Sequence, residues 1–214
     1  MSEKPHCLIT AGPTREFFDP VRYISNPSSG KMGYALAQAA LANGWGVDLV
    51  TGPVAIVPPI EANVYKVVTS DEMLAQVEKL FPRCKMLIMA AAVCDMRPKK
   101  SVLHKVKKEA LSMTLEMEPT PDILKTLAQK KRKNQTVVGF AAETQDIEIH
   151  AQSKLDRKKL DWIIANQVGG KNNAFESDYN EVVMLGCNGE RAQLGPDSKQ
   201  VVAQKIIDLL MQFQ

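Results

Sequence analysis

Apolar runs alternate with amphipathic segments along most of this chain. Short runs rich in β-branched or apolar residues predict six strands, at 7–11, 47–51, 64–68, 86–93, 137–141 and 162–165. Apolar residues at helical spacing predict five helices, at 31–43, 71–81, 121–131, 147–159 and 199–213. This alternation of nearly continuous apolar strands with helices predicts an α/β fold: a Rossmann-like, doubly wound and mainly parallel sheet covered on both faces.

Local signals indicate where several helices begin and end. Gly44 follows the first helix as a C-terminal stop, and Ser70 is the predicted N-cap of the second helix, with an acidic first turn after it. Pro121 is the predicted first residue of the third helix, with Asp122 as a partner for the helix dipole.

Two segments interrupt the alternation. Residues 97–118 carry a run of lysines and then apolar residues at every second position (Met113, Leu115, Met117), which predicts a basic flap that leaves the sheet and returns to it. Residues 177–194 contain Asn188-Gly189 between two strand-like runs, which predicts a C-terminal β-hairpin.

Composition narrows the class of protein. A chain of 214 residues with 45% apolar residues can bury one substantial core, so we expect a single domain over 1–214. No apolar run is long enough for a bilayer span, and the N-terminus lacks the pattern of a signal peptide. The four cysteines are scattered, which argues against a zinc site and a disulfide framework, and the net charge of +3 does not indicate nucleic acid. We therefore expect a cytoplasmic protein that binds neither membrane nor nucleic acid.

The stretch 9–33, ITAGPTREFFDPVRYISNPSSGKMG, suggests a binding loop. An apolar strand runs into a long polar loop, and Ser29 and Gly30 lie at the start of the following helix, whose free N–H groups favour an anion. Arg22 and Asn26 suit a carboxylate or a phosphate. The alternative is that the glycines only allow close packing of helix and strand. The loop matches neither a P-loop nor a compact dinucleotide fingerprint.

Further candidate chemistry falls at the predicted carboxyl ends of strands, where parallel sheets bind ligands. Asp95 follows the fourth strand, next to the basic flap, and a carboxylate facing lysines suits a triphosphate with magnesium. The alternative is that these lysines form a solvated surface. Lys154 and Lys158 lie four residues apart on one helical face, so both can reach one phosphate tail. No Ser/His/Asp arrangement is evident, which favours charge stabilisation over covalent catalysis.

Six ordered motifs give this sequence a resemblance to a known family. The stretch 9–33 is followed in order by AAAVCDMRP, KVKK, PTPDIL, VVGFAAET and IIAN, and together these motifs span most of the chain. In this it resembles bacterial phosphopantothenoylcysteine synthetase. The resemblance implies a ligase of coenzyme A biosynthesis that joins 4′-phosphopantothenate to L-cysteine through an acyl-cytidylate, using CTP and Mg²⁺ and releasing pyrophosphate and CMP.

The resemblance also implies roles for individual residues. Asn26 orients the acyl group, Arg22 assists at the phosphopantothenate end, and Lys105 bridges nucleotide and acyl phosphate from the flap. Substrate binding is expected from Arg22, Asn26, Ser29 and Gly30, and metal binding from Asp95. The implied nucleotide-binding residues are Met89, Ala90, Ala91, Asp95, Lys105, Pro121, Asp122, Ile123, Leu124, Phe140, Lys154 and Lys158.

The chain departs from the family pattern on both sides of Asp95. The family usually has a small residue where Cys94 stands and an aromatic residue where Met96 stands. Eukaryotic relatives use ATP, whereas KVKK is similar to the bacterial CTP type. The family forms homodimers, and the synthetase is often fused to a phosphopantothenoylcysteine decarboxylase.

Two other classes of protein fit the sequence less well. A NAD(P)-binding Rossmann oxidoreductase needs a compact glycine fingerprint after the first strand and an acid at the end of the second, and the second strand ends in Thr51-Gly52. A nucleic-acid-binding module needs aromatic residues interleaved with the basic arm, and these are lacking.

Replacing Lys105 tests the flap assignment. We expect Lys105→Gln to abolish turnover, because the transition state loses a charge partner. Pyrophosphate release is the measurement, and activity near that of the wild type would contradict the assignment.

Overall fold

An eight-stranded, mostly parallel sheet forms the centre of the fold. The computed structural model describes residues 4–110, 114–168 and 177–213. The strands are β1 (His6–Ala11), β2 (Arg15–Phe17), β3 (Tyr23–Ser25), β4 (Gly46–Thr51), β5 (Asn63–Lys66), β6 (Met86–Met89), β7 (Met96–Pro98), β8 (Met117–Pro119), β9 (Thr136–Glu143), β10 (Trp162–Gln167), β11 (Tyr179–Gly186) and β12 (Arg191–Ser198). The helices are α1 (Lys31–Ala42), α2 (Ser70–Leu80), α3 (Ile123–Gln129), α4 (Ile147–Lys158) and α5 (Lys199–Gln212).

The strand order in the large sheet is β12-β11-β10-β9-β6-β1-β4-β5. From β10 to β5 all neighbours are parallel, and β11 and β12 add the antiparallel C-terminal hairpin. The chain moves outward from β1 to β4 and β5, then returns to place β6 on the other side of β1. The expected Rossmann-like, doubly wound architecture is therefore confirmed, with its topological switch point between β1 and β6.

Helices cover both faces of the sheet. The cluster on one face includes Ile9 of β1 with residues of α1 and α5, and the cluster on the other face includes Leu8 with residues of α2, α3 and α4. Because successive side chains of a strand point to opposite faces, both faces of β1 need apolar residues. No helix in the described ranges has the length and apolar composition needed to span a bilayer.

Most predicted boundaries lie within about two residues of those observed, with β6 as the main exception. This strand ends at Met89, four residues before the predicted end. The apolar run continues to Val93, but there the chain has left the sheet and lines a cavity. Apolar side chains at a ligand site give the same pattern as strand residues.

Two predicted helix starts were also wrong. The N-cap of α2 is Thr69, which forms a capping box with Glu72, so Ser70 is the first helical residue. The N-cap of α3 is Asp122, whose side chain accepts a hydrogen bond from Lys125 N at 3.0 Å. Pro121 therefore precedes this helix.

The segments around the sheet form small hairpins. The loop between β1 and α1 contains the antiparallel pair β2–β3, which the sequence pattern did not predict. The basic flap leaves and returns through the antiparallel pair β7–β8, as expected, but β8 begins only at Met117. Met113, which we placed in the same strand, lies outside the described residues. The turn at Asn188-Gly189 joins β11 and β12 as predicted.

A buried carboxylate ties the flap to the β2–β3 hairpin. The Asp19 side chain accepts hydrogen bonds from the backbone N–H groups of Val21 and Arg22, from the Arg22 guanidinium and from Val106 N in the flap. Arg22 in turn donates to the carbonyl of Val106 at 2.8 Å. The Arg22 guanidinium holds the pKa of Asp19 well below its usual range, against the opposing effect of burial.

Neutralising Asp19 should loosen the flap. An aspartate whose pKa is lower in the folded state stabilises the fold above its unfolded pKa of about 3.9, and this contribution disappears as the pH falls. We expect Asp19→Asn to lower the melting temperature at neutral pH and to speed proteolysis within 97–118. The difference from wild type should shrink below about pH 4.

The matched control is Asp208→Asn, an exposed aspartate on α5 that accepts hydrogen bonds from Gln204 and Asn43. Calorimetric melting and limited proteolysis of both variants are the measurements. Equal behaviour of the two variants at neutral pH would show that Asp19 does not anchor the flap.

Candidate active site at the carboxyl edge of the sheet

A cavity of about 620 Å³ lies beside the topological switch point. Its walls are the chain that follows β6, the end of β9 and the starts of α1, α3 and α5, together with one face of α4. In open α/β sheets ligands bind outside the carboxyl ends of the strands at such a point. Position alone makes this cavity the candidate active site.

Most of the residues predicted for the site line this one cavity, although they are scattered along the sequence. The predicted residues in its wall are Asn26, Ser29, Gly30, Met89, Ala90, Ala91, Asp95, Pro121, Asp122, Ile123, Leu124, Phe140, Lys154 and Lys158.

Two predicted catalytic residues lie outside the cavity wall. Arg22 is on the β2–β3 hairpin, where its guanidinium pairs with Asp19 at 2.5 Å and binds the carbonyl of Val106. Lys105 is exposed in the flap, next to Val106 in sequence. In this arrangement neither side chain is brought together with the other predicted site residues.

Glycines allow the first turn of α1 to approach the sheet. Gly30, the N-cap, has φ +79°, in the left-handed region that favours glycine. A Cβ on Gly33 would lie 2.6 Å from the Cβ of Ala11 at the end of β1. The N–H groups of this first turn therefore face the cavity directly beside the sheet.

The loop that follows β6 is tied to the loop that follows β1. Ala92 N donates to Gly12 O at 2.9 Å, and Thr14 N donates back to Ala92 O at 3.3 Å. The buried Thr14 hydroxyl accepts from Cys94 N at 3.0 Å. These bonds fix the backbone at the centre of the cavity wall.

Asn26 completes this connection. Its Nδ2 donates to the carbonyl oxygens of Ala92 at 3.2 Å and Val93 at 3.1 Å. Because two carbonyl oxygens require a donor, the orientation of the amide is determined by its surroundings. Within the described part of the chain no hydrogen bond to Oδ1 is formed, so this atom can accept one at the cavity.

The side chain of Cys94 packs beside the cavity. The side chain is buried, and the thiol lies 3.6 Å from Thr14 O and 3.7 Å from Ile24 O. Burial raises the pKa of the Cys94 thiol, which keeps it protonated and unreactive at neutral pH. Cys94 thus occupies the position beside Asp95 without altering the charge of the cavity.

The two lysines of α4 contact the residues predicted to surround a base. Lys158 lies 2.8 Å from the carboxylate of Asp122, and Lys154 donates to Phe140 O at 3.3 Å. Burial, with the nearby charge of Lys158, lowers the pKa of Lys154. Burial raises the pKa of Asp122, but hydrogen bonds from Lys158 and Lys125 N outweigh it, so the net shift is downward.

Asp95 is an exposed carboxylate in the cavity wall. In the described ranges no group of three or more His, Cys, Asp or Glu side chains could hold a metal ion. Mg²⁺ does not need such a group, because it is commonly bound by one or two carboxylates together with substrate phosphates. Asp95 fits that mode of binding.

Sequence reasoning missed several polar residues of the wall, notably Lys31, Asn180 and Lys199. Lys199 is only 3% exposed. One signal for it was available: a lysine directly after the N-cap Ser198 opposes the usual preference for acids at a helix start. Asn180 carries no comparable signal, because it lies inside a strand.

The sequence is similar to that of known proteins over nearly its whole length. Residues 2–213 match the family described as "DNA/pantothenate metabolism flavoprotein C-terminal domain". The chain is 45% identical over 206 residues to the coenzyme A biosynthesis bifunctional protein CoaBC of Bacillus subtilis (strain 168). This alignment covers 96% of this chain and 50% of that protein. The chain thus spans about half the length of the curated relatives it matches.

Solved structures are similar over nearly the whole chain. The crystal structure of the C-terminal domain of CoaBC superposes with a TM-score of 0.83 at 39% identity, covering 98% of this chain and 95% of that one. A Cab2 mutant in complex with phosphopantothenate-cysteine has the same fold, with a TM-score of 0.80 at 18% identity, covering 98% of this chain and 86% of that one. This chain belongs to the DNA/pantothenate metabolism flavoprotein C-terminal domain family.

Proposed function

We propose that this chain is a phosphopantothenate–cysteine ligase of coenzyme A biosynthesis that uses CTP. The observation that carries the proposal is the convergence of the predicted site residues, all except Arg22 and Lys105, on one cavity at the switch point. Membership of the family and the relatives named CoaBC support the same reaction.

The proposed reaction has two steps. In the first, the carboxylate of 4′-phosphopantothenate attacks the α-phosphorus of CTP, and the bond to the leaving pyrophosphate breaks. In the second, the amine of L-cysteine attacks the acyl carbon of the acyl-cytidylate, the bond to CMP breaks, and the ammonium proton is lost to solvent. No covalent intermediate with the protein is formed.

Residues of α3 and β9 are proposed to bind the nucleotide base. Pro121 to Leu124 would frame the cytosine, and Phe140 would pack on it from the opposite wall. Lys154 and Lys158 hold positions next to these residues, through the contacts to Phe140 O and Asp122. Their charges would act on the phosphates of the same nucleotide, and the backbone at Met89 to Ala91 would help to orient that nucleotide.

Asn26 is proposed to act in the second step. Its Nδ2 is used by Ala92 O and Val93 O, so the atom that meets the substrate is the acceptor Oδ1. An acceptor beside the acyl carbon can take a hydrogen bond from the attacking amine and align its lone pair. Ser29 and Gly30 lie beside it in the wall and supply donors at the start of α1.

Asp95 is proposed to hold Mg²⁺ together with the substrate phosphates. When bound, the ion would offset the negative charge that develops on the leaving pyrophosphate. The negative charge of Asp95 acts on Lys154, so the carboxylate also stabilises the ammonium form of this half-buried lysine when no metal is bound.

The flap is proposed to bring Lys105 to the reacting phosphate. Lys105 lies outside the cavity wall, so this role requires the flap to close over bound substrate and to exclude water from the mixed anhydride. Arg22 holds the flap at Val106 and would contribute from the phosphopantothenate end.

The remaining partners are also proposals. A homodimer is supported by apolar side chains exposed on the β2–β3 hairpin and the flap, including Val21 and Leu103, which is 89% exposed. The relatives are named as bifunctional, and we propose that the second activity is a phosphopantothenoylcysteine decarboxylase fused to this domain. The expected location is the cytoplasm.

Pyrophosphate release tests the proposed function. The purified chain is supplied with 4′-phosphopantothenate, magnesium and either CTP or ATP, with and without L-cysteine. We expect release that prefers CTP and becomes multiple-turnover when cysteine is added. A preference for ATP would retain the ligase but change its nucleotide, whereas no release with either nucleotide would overturn the proposal.

Asn26→Asp tests the role of Asn26. A carboxylate cannot donate to Ala92 O or Val93 O, and it places negative charge next to the acyl group. We expect the acyl-cytidylate still to form, while its aminolysis slows by roughly ten- to a hundredfold, the size of effect expected when a carbonyl oxygen loses its donor and the side chain loses its orientation. Quenched-flow analysis of the intermediate is the measurement.

The matched control is Asn43→Asp at the opposite end of α1, where Nδ2 donates to Ala39 O at 3.0 Å. This variant should form and consume the intermediate at the wild-type rate. If Asn26→Asp fails in the first step and accumulates nothing, the assignment of Asn26 to the second step is wrong.

A further inference from the structure

Threonine hydroxyls hold the backbone that follows β6, where the chain has left the sheet. Ala91 N donates to Thr10 Oγ1 at 3.2 Å. Cys94 N donates to Thr14 Oγ1 at 3.0 Å, and both of these threonines are fully buried. From the other side, Thr120 donates its hydroxyl to Cys94 O. The segment that leads into the cavity wall is therefore held by side chains from two distant parts of the sequence.

Thr120 holds the peptide groups on both sides of Asp95. Its hydroxyl donates to the carbonyl of Cys94, which belongs to the peptide group before Asp95. Its N–H donates at 3.0 Å to the carbonyl of Asp95 itself, which belongs to the peptide group after it. The orientations of these two planar groups determine φ and ψ of Asp95. They therefore also determine the direction in which its side chain leaves the backbone.

These two hydrogen bonds lie at the base of the flap. Asp95 directly precedes β7 and Thr120 directly follows β8, and the neighbouring pair in that ribbon is Met96 with Pro119. The β2–β3 hairpin holds the flap a second time, at Val106. Movement of the flap therefore acts on the backbone of Asp95 unless the base of the ribbon is fixed.

The hydroxyl of Thr120 is not needed to close this ribbon. The bond from Thr120 N to Asp95 O continues the backbone pairing of β7 and β8 by itself. The hydroxyl adds a bond only to the carbonyl before Asp95, and Thr120 is half-buried in the cavity wall. A threonine that served the ribbon alone would be replaceable by valine, another β-branched residue, without consequence for Asp95.

We propose that Thr120 is a positioning residue whose hydroxyl fixes the backbone of Asp95, so that the carboxylate keeps one direction at the cavity while the flap moves. The inference rests on the proposed function for the role of that carboxylate, which is to hold Mg²⁺ together with the nucleotide phosphates. Mg²⁺ demands near-ideal octahedral geometry, so a carboxylate whose direction varies binds it less well.

The order parameter of the Asp95 amide tests the positioning without any substrate. The N–H of Asp95 lies in the same peptide plane as Cys94 O, the atom that the hydroxyl holds. Amide-nitrogen relaxation of the full 214-residue chain compares wild type with Thr120→Val and Thr120→Ser. We expect about 0.85, the value of rigid backbone, in wild type and Thr120→Ser, and about 0.7 or less in Thr120→Val.

The matched control is Thr126→Val in α3. The Thr126 hydroxyl donates to Asp122 O at 2.8 Å, and its own N–H binds the same oxygen at 3.0 Å, so that carbonyl keeps a donor in the variant. The control should show the wild-type order parameter at Asp95. Thermal unfolding checks each variant, and Thr120→Ala makes the same comparison if Thr120→Val does not fold. An unchanged value at Asp95 in the folded variant would overturn the positioning role.

Calorimetric titration with CTP, in Mg²⁺ and in EDTA, measures the consequence for binding. In Mg²⁺ we expect the affinity of Thr120→Val for CTP to fall about tenfold, because Cys94 O loses its donor and Asp95 its direction. In EDTA the affinity should stay within about twofold of wild type, and Thr120→Ser should bind normally under both conditions. An equal loss under both conditions contradicts an effect through Asp95.

The two measurements separate this inference from the proposed function. A lower order parameter at Asp95 in a chain whose binding of CTP does not depend on Mg²⁺ would support the positioning by Thr120 and refute the proposed metal role of Asp95. Binding that depends on Mg²⁺ to the same extent in wild type and in Thr120→Val would retain that metal role and refute the positioning.

Discussion

The reversal of strand order between β1 and β6 is the constraint on which the site depends. Each of these strands continues into a loop that leaves the sheet, and the two loops part toward opposite faces, which opens a crevice. The loops are joined across it by the bonds between Ala92 and Gly12 and by Thr14. Asn26 adds the third connection. The hydrogen bonds that close the fold at this edge therefore also shape the cavity wall, so changing one of them alters both.

Charge is arranged around this crevice by the layer structure of the fold. α1 and α5 lie on one face of the sheet and α3 and α4 on the other, so their polar ends meet the cavity from opposite sides. Lys31 and Lys199 belong to the first pair and Lys154 and Lys158 to the second. Lysine side chains therefore line the cavity on both faces of the sheet.

The sequence pattern was sufficient to predict the sheet, because strands buried on both faces are apolar throughout, whereas the apolar residues of a helix recur at helical spacing. It failed at β6, where Ala90 to Val93 are apolar because they line a cavity. Motif resemblance found the site residues near the ends of strands, but not Asn180 or Lys199, whose approach depends on how β11 and α5 pack. Nor could it show that Lys158 of α4 pairs with Asp122 at the start of α3, since these two residues are 36 positions apart in the sequence.

The position of Lys105 outside the cavity follows from how its neighbour is held. Val106 donates its N–H to Asp19 and accepts a hydrogen bond from Arg22, so both of its backbone polar groups are bound to the β2–β3 hairpin. Asp19 is buried and strongly favours its charged form, which makes this attachment firm at neutral pH. Lys105 is therefore tethered on one side, and its ammonium can approach the cavity only by movement of the chain between β7 and Val106 or of the hairpin itself. The resemblance placed Arg22 at the substrate and Lys105 at the nucleotide. These two residues are thus mechanically linked through Val106.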